Sequence, residues 1–327
     1  MIRSTEAVVA KDGYVDPHGH AMHVVILERN KLVGRKLARL FLATGASVAT
    51  LDEPAGLGAA LDGASVVGAD AFDGDAMVEQ LRARPDLRGV LWTAEPLRRS
   101  LRYLAESAAI HDVLARRDFE SPPPAWEVVM VARRLAGAAA PPLAAYLDWG
   151  SSAIDLDVRV TADRDAASAR IQDFIAALGA PRRVAEMFAE LGHELIMNAM
   201  YDAPVDGFGR ARYAADRKAD LVLADHERPA VRLATDGTRV ALQVRDPFGR
   251  LERRHVVDGL ARGLAGGELD RSHGGAGLGM LVCHNASTAL WFDVAPGQRT
   301  EVTALLELDV NLRELRTSAR SLHFWRP

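Results

Sequence analysis

From His23 onward, short apolar runs alternate with segments whose apolar residues recur every three or four positions. The run His23-Val-Val-Ile-Leu27 is continuously apolar, the pattern of a parallel strand covered on both faces. Residues 30–44 place Leu32, Val33, Leu37, Leu40 and Phe41 at helical spacing, and Gly45 stops the helix. Strands are then predicted over 46–51, 65–69, 89–93 and 112–115, with helices over 56–61, 75–84, 97–108 and 126–135. Strands alternating with helices imply a parallel sheet wound on both faces. The Ser121-Pro-Pro-Pro124 punctuation and the small-residue, proline-bearing stretch 137–142 close this unit.

The pattern then changes. Residues 154–160 alternate apolar and polar positions, as a half-exposed strand does. Residues 166–178 read as an amphipathic helix ended by Gly179. Pro181 opens a second helix, in which Val184, Met187, Phe188, Leu191, Leu195 and Ala199 share a face. Strands follow at 221–223, 230–234, 240–244, 289–292 and 302–308. Helices first and mostly antiparallel strands afterwards describe an α+β layer. The resulting division is an arm over 1–21, a first domain over 22–136, a linker over 137–149, a second domain over 150–310 and a tail over 311–327.

Length agrees with two domains, since 327 residues is more than one ordinary core holds. Hydrophobic residues make up 49% and charged residues 26%, ample for two cores and ordinary for a water-exposed surface. The net charge of −4 gives no basic excess, so nucleic acid is not an expected partner. Cys283 is the one cysteine, which excludes an intrachain disulfide and fits a reducing compartment. No apolar run is long enough to span a bilayer, and residues 1–21 lack the apolar core of a signal peptide. A cytoplasmic protein with no membrane contact is therefore expected. His18, His20 and His23 lie close together but have no further metal-ligand spacing around them, so a solvated arm is the expectation there.

The chemistry concentrates in three segments of the second domain. Glu194 and Asn198 lie one helical turn apart and share a face. An Asn oxygen can coordinate Mg²⁺, and a Glu one turn earlier can reach an attacking hydroxyl or water. The plain alternative is a solvated polar pair. The strand 240–244 runs into Asp246-Pro-Phe-Gly249, where a strand-end carboxylate can accept the exocyclic amine of adenine and Gly249 lets the backbone pass close to a ligand. The plain alternative there is a β-turn. Gly274-Gly-Ala-Gly-Leu-Gly279 precedes a helical run, and glycine-rich backbone at a helix start can surround phosphates with N–H donors.

In this order the three segments resemble the Bergerat-fold ATPases, the superfamily of gyrase, sensor histidine kinases and mismatch-repair ATPases, and within it the anti-sigma-factor serine kinases. The likeness spans residues 150–310 and implies a two-layer α+β sandwich that binds ATP and Mg²⁺. It makes Glu194 the general base, Asn198 the Mg²⁺ ligand, Asp246 the adenine-recognising acid, and Gly275, Gly277 and Gly279 the phosphate-loop glycines. Gly249 falls in the adenine segment, Thr300 matches the threonine that helps hold adenine through water, and residues 250–273, with Arg250, Arg253, Arg254, Arg262 and Arg271, correspond to a lid. It further implies transfer of phosphate to Ser or Thr of a protein signalling partner, and a homodimer. Two departures stand out: Asp202 occupies a place where many relatives carry a basic residue or His, and the adenine segment has a single glycine. The other reading is a signalling adaptor without turnover.

The first domain resembles a response-regulator receiver, a flavodoxin-like α/β fold. The resemblance makes Asp70 the phospho-acceptor, Glu28 the metal-side acid, Thr93 the switch hydroxyl and Arg116 the occupant of the lysine position. Arg29 in the acidic cluster opposes a metal there, and an arginine reaches differently from a lysine. A degenerate receiver that takes no phosphoryl group is the resulting expectation.

Overall fold

A computed structural model describes residues 22–148, 151–266 and 278–326. Contacts divide the chain into two units: one runs to Ala140 and takes in Ser318–Leu322, and the other comprises Pro141–Thr317 and the residues from His323.

In the first unit, strands β1 His23–Leu27, β2 Ser47–Leu51, β3 Val66–Asp70, β4 Arg88–Thr93 and β5 Ile110–Ala115 alternate with helices. The helices are α1 Lys31–Leu42, α2 Leu57–Ala60, α3 Gly74–Ala83, α4 Leu97–Glu106 and α5 Ala125–Leu135. These five strands are parallel and ordered β2-β1-β3-β4-β5. That order is the flavodoxin-like doubly wound sheet, whose switch point lies between β1 and β3. Helix α1 packs with α5, and α3 with α4, which covers both faces. Burial on both faces explains why β3 is buried at every position and why an apolar run was its signature. Asn30 caps α1 by accepting the amide hydrogens of Leu32 at 3.0 Å and Val33 at 3.3 Å.

The second unit contains β6 Ser152–Leu156, α6 Thr161–Ala177, α7 Arg182–Met197, β7 Ala230–Thr235 and β8 Arg239–Asp246. After these come α8 Arg253–Ala265, α9 Gly279–Ala286, β9 Ala289–Ala295, β10 Arg299–Glu307 and α10 Leu312–Thr317. Strands run antiparallel in the order β9-β10-β8-β7-β6, with α6 and α9 each packed on α7. The α+β character expected from the sequence is present as this mixed arrangement of helices and an antiparallel sheet.

Several expected elements differ. Residues 221–223 make no strand; Val222 forms a single bridge to Val160 and is 70% exposed. The lid stretch 250–273 contains helix α8, and Arg271 lies outside the described residues. Within 311–327, set apart above as a tail, α10 is followed by a strand, β11 Ser321–Trp325, buried at all five positions. His323 stacks on Trp291 of β9 with ring centroids 3.6 Å apart. Among the described residues no helix is long and apolar enough to cross a membrane. His18 and His20 lie outside the described residues.

Candidate functional site

Helix α7 approaches α6 closely because position 192 is glycine: a Cβ there would come within 2.5 Å of Ile171 Cδ1. The apolar face of α7, with Val184, Phe188, Leu191 and Leu195 buried, faces inward, and Glu194 and Asn198 are left half-buried beside it. The helix then widens. Asn198–Asp202 winds as a π-turn, closed by the Ala203 amide on the Asn198 carbonyl at 3.0 Å. Such wide turns concentrate at functional sites. Nothing in the apolar periodicity announced it.

Strand β8 ends at Asp246, which pairs in register with Thr300 of β10. Asp246 Oδ1 accepts the amide hydrogens of Phe248 at 2.8 Å and Gly249 at 3.3 Å, forming an Asx turn. Gly249 has a φ of 64°, and a Cβ on it would collide with the Ala295 carbonyl and lie 2.9 Å from the amides of Gly297 and Arg299. Only glycine allows the loop after Asp246 to lie against the β9–β10 turn. At the start of α9, a Cβ on Gly279 would collide with Glu194 Oε2. That glycine admits the Glu194 carboxylate against the α9 backbone.

A cavity of about 560 Å³ forms among these elements, within the range of small-molecule sites. Glu194, Asn198, Asp202, Asp246, Gly279 and Thr300 all line it. Five of these were singled out from sequence as site residues, and Asp202 as a departure from the family pattern. Val244, Phe292 and Val302 provide apolar wall, and Arg217, Arg250, His255 and Arg262 provide cationic or ring-nitrogen groups. Gly249 does not line the cavity; its part is to seat the loop. Gly275 and Gly277 lie outside the described residues.

Burial raises the Asp246 carboxyl above the usual range, opposed by the Phe248 amide, the Thr300 hydroxyl and the Gly249 amide. Thr300 is 4% exposed, and its Oγ1 makes no well-formed hydrogen bond although it lies close enough to act on Asp246. A buried hydroxyl in that condition, in the wall of a cavity, is suited to a ligand or water partner. The cavity wall here combines a carboxylate, a buried hydroxyl and apolar side chains.

Arg217 was missed by sequence reading. Its Nη2 donates to Asn198 Oδ1 at 2.6 Å and to Asp202 Oδ2 at 2.8 Å. Packing raises the Asp202 carboxyl, Arg217 lowers it and Glu194 raises it, but a side chain 43% exposed screens much of this. Mg²⁺ requires oxygen ligands in a near-octahedral shell. Here the amide oxygen that the family resemblance assigns to the metal is held by a guanidinium, which has no lone pair to offer. Among the described residues, no group of three or more His, Cys, Asp or Glu gathers to hold a metal. The positive charge of Arg217 on Asn198 Oδ1 opposes a Mg²⁺ at that same oxygen. Cys283, on the buried side of α9, is kept as a thiol by burial and by the charge of Glu194, which removes it as a nucleophile.

In the first unit, the C-terminal ends of β1, β3 and β5 bring Glu28, Asp70 and Arg116 together. Arg116 Nη1 donates to Glu28 Oε2 at 3.0 Å, and Nη2 donates to Asp70 Oδ2 at 2.6 Å. Trp92 Nε1 donates to Glu28 Oε2 at 2.7 Å, and the Asn30 amide donates to Glu28 Oε1 at 3.0 Å. Asp70 Oδ1 accepts the Phe72 amide at 2.8 Å. Both oxygens of each carboxylate are thus engaged, and the Arg116, Glu28 and Asp70 side chains are 2–6% exposed. Burial raises the Asp70 carboxyl, the Phe72 amide and Arg116 lower it, and Glu28 and Asp73 raise it. Arg29 forks onto Asp73 at 2.8 and 2.7 Å. Thr93 is buried at the end of β4, and its Oγ1 accepts the Glu95 amide at 2.9 Å.

No protein-family model and no curated protein matches this chain. Among solved structures it is similar to the signal receiver domain of an HD domain-containing protein from Pseudomonas fluorescens Pf-5, at 13% identity and a TM-score of 0.31, covering 36% of this chain and 96% of that one. It is similar to a response regulator receiver domain from Clostridium thermocellum at 14% identity and a TM-score of 0.31, covering 36% and 94%. A response regulator from Thermotoga maritima is similar at 10% identity and a TM-score of 0.32, covering 36% and 99%. The receiver-like description of the first unit rests on its own strand order and crossovers.

Proposed function

We propose that this chain is a signalling protein whose second unit binds an adenine nucleotide and whose receiver-like first unit takes no phosphoryl group. The observation that carries the proposal is the convergence of Asp246, Thr300 and Glu194 on one cavity of about 560 Å³. In this reading Asp246 accepts the exocyclic amine of adenine, with Thr300 beside it. Val244, Phe292 and Val302 cover the base, and Arg250 and Arg262 meet the phosphates. Bound ATP would supply a transferable phosphoryl group. The output is capture of a protein signalling partner, with nucleotide occupancy as the variable.

Binding without turnover is favoured over a Ser/Thr kinase by one contact: Arg217 on Asn198 Oδ1, where a kinase of the resembled family would keep its metal. Calorimetry with ATP and GTP tests the site. Wild type is expected to bind ATP, and Asp246→Asn, which turns an acceptor oxygen into an amide, to lose at least about tenfold in affinity. Equal affinity in both proteins would sink the assignment of Asp246. Glu194→Ala separates the two outputs: an adaptor keeps ATP and partner capture, whereas a kinase keeps ATP but loses phosphoryl transfer.

A further inference from the structure

We infer that Arg217 is a tethered cation standing in the place of the divalent metal, so that the cavity takes the anionic part of its ligand without Mg²⁺. This rests on the nucleotide reading for the ligand, but the claim about the cation stands on geometry alone. One guanidinium nitrogen satisfies Asn198 Oδ1 at 2.6 Å and Asp202 Oδ2 at 2.8 Å together. The family resemblance would put a metal ion at Asn198 as the positive centre there. Here the protein supplies that centre itself, nineteen residues further along the chain.

The wide turn of Asn198–Asp202 presents both oxygens to the same nitrogen. The arginine is not consumed by this bridge. The bridge uses Nη2, and the side chain lines the cavity. A guanidinium has five N–H donors in a planar fork, so an arginine with one nitrogen on protein oxygens still has donors for a phosphate or carboxylate. Arg250 lies alongside, with Nη1 donating to the Asp202 carbonyl at 3.3 Å, and Arg262 lines the same space. Three guanidinium groups therefore share one cavity with the carboxylates of Glu194, Asp202 and Asp246. An additional divalent cation at Asn198 would have to displace Arg217 against its two contacts and against like charge.

The test uses the full chain and two probes. Mn²⁺ alone, followed by paramagnetic resonance, reports the metal position without any nucleotide. Wild type is expected to show no millimolar Mn²⁺ site, Arg217→Ala to gain one, and Arg217→Ala combined with Asn198→Ala to lose it again. A Mn²⁺ site in wild type that Asn198→Ala abolishes would overturn the inference, as would no gain in Arg217→Ala. ATP titrated in EDTA and then in excess Mg²⁺ is the second probe. Wild-type affinity is expected to agree within about threefold between the two conditions. Arg217→Ala is expected to weaken at least about tenfold in EDTA and to recover with Mg²⁺. Arg217→Lys, which keeps the charge and loses the fork, should lie between them and shows that any loss is not general unfolding. Binding at least tenfold tighter with Mg²⁺ in wild type would overturn the inference. The expected Mn²⁺ pattern with no ATP binding at all would refute the nucleotide reading and leave Arg217 in the metal's place.

Discussion

The two units each contain an arginine that bridges two side-chain oxygen groups, Glu28 and Asp70 in one and Asn198 and Asp202 in the other, and they use it differently. Arg116 is 2% exposed and lies between Glu28 and Asp70, whose four oxygens all have donors. Arg217 is 26% exposed at the wall of a cavity and holds an amide and a carboxylate through one nitrogen. The first arrangement is closed on itself; the second is open to a ligand. Burial decides this. A carboxylate taken fully out of water is tolerated when its oxygens have donors, and all four here do, which leaves none of them open to a metal or an incoming group. A charge at a cavity wall can exchange protein partners for a ligand's oxygens at little cost.

Removing each arginine is the strongest way to break that contrast. Arg116→Ala strands two carboxylates in the core and should destabilise the protein by about 3–5 kcal/mol in urea unfolding. Arg217→Ala should cost under about 1 kcal/mol in the same measurement. Comparable losses would mean that the second arginine is as structural as the first. The pH dependence of ligand binding should be the next largest effect. The Asp246 carboxyl is raised by burial, so its charged acceptor form is lost as pH falls through that raised value. ATP affinity should therefore fall as pH falls through a midpoint above the usual carboxylate range, and the midpoint should vanish in Asp246→Asn. For unliganded protein the sign reverses. A raised folded-state value means the folded protein holds its proton more tightly, so Asp246 favours folding below that value and loses this contribution as pH rises through it. The smallest expected signal is none at all: acetyl phosphate with Mg²⁺ should leave Asp70 unlabelled in mass spectrometry, since Arg116 and the Phe72 amide hold its oxygens.

Much of this was legible in the sequence where a periodic pattern had one interpretation. The run at 23–27 is a strand because burial on two faces permits only apolar residues, and β1 occupies His23–Leu27. Glu194, Asn198, Asp246, Gly279 and Thr300 were brought together by the family resemblance that the motif order suggested, and they line one cavity. What was not legible depended on facts without a period. Residues 221–223 are apolar enough for a strand, but a strand is defined by its ladder, and here one bridge to Val160 is all that forms. Residues 250–273 are rich in arginine, which hid the buried stripe of Val256, Val257 and Leu260 that makes α8 a helix. The strand Ser321–Trp325 carries a histidine that is fully buried, an unusual choice whose sense appears only in its stack on Trp291. Arg217 lies in an irregular stretch, and its two partners are set by folding alone.

The wide turn at Asn198–Asp202 has a mechanical consequence. A π-turn is an α-helix carrying one residue too many for its pitch, and the surplus is held in place by the Ala203 amide reaching back to the Asn198 carbonyl. Each residue of an ordinary helix advances the azimuth by about 100°. Relaxing the turn to ordinary pitch would swing Asp202 around the axis relative to Asn198 and part the two oxygens that now share one nitrogen. The bridge is thus a matter of winding as much as of residue identity. A one-residue slip in this segment would undo it with every side chain still present.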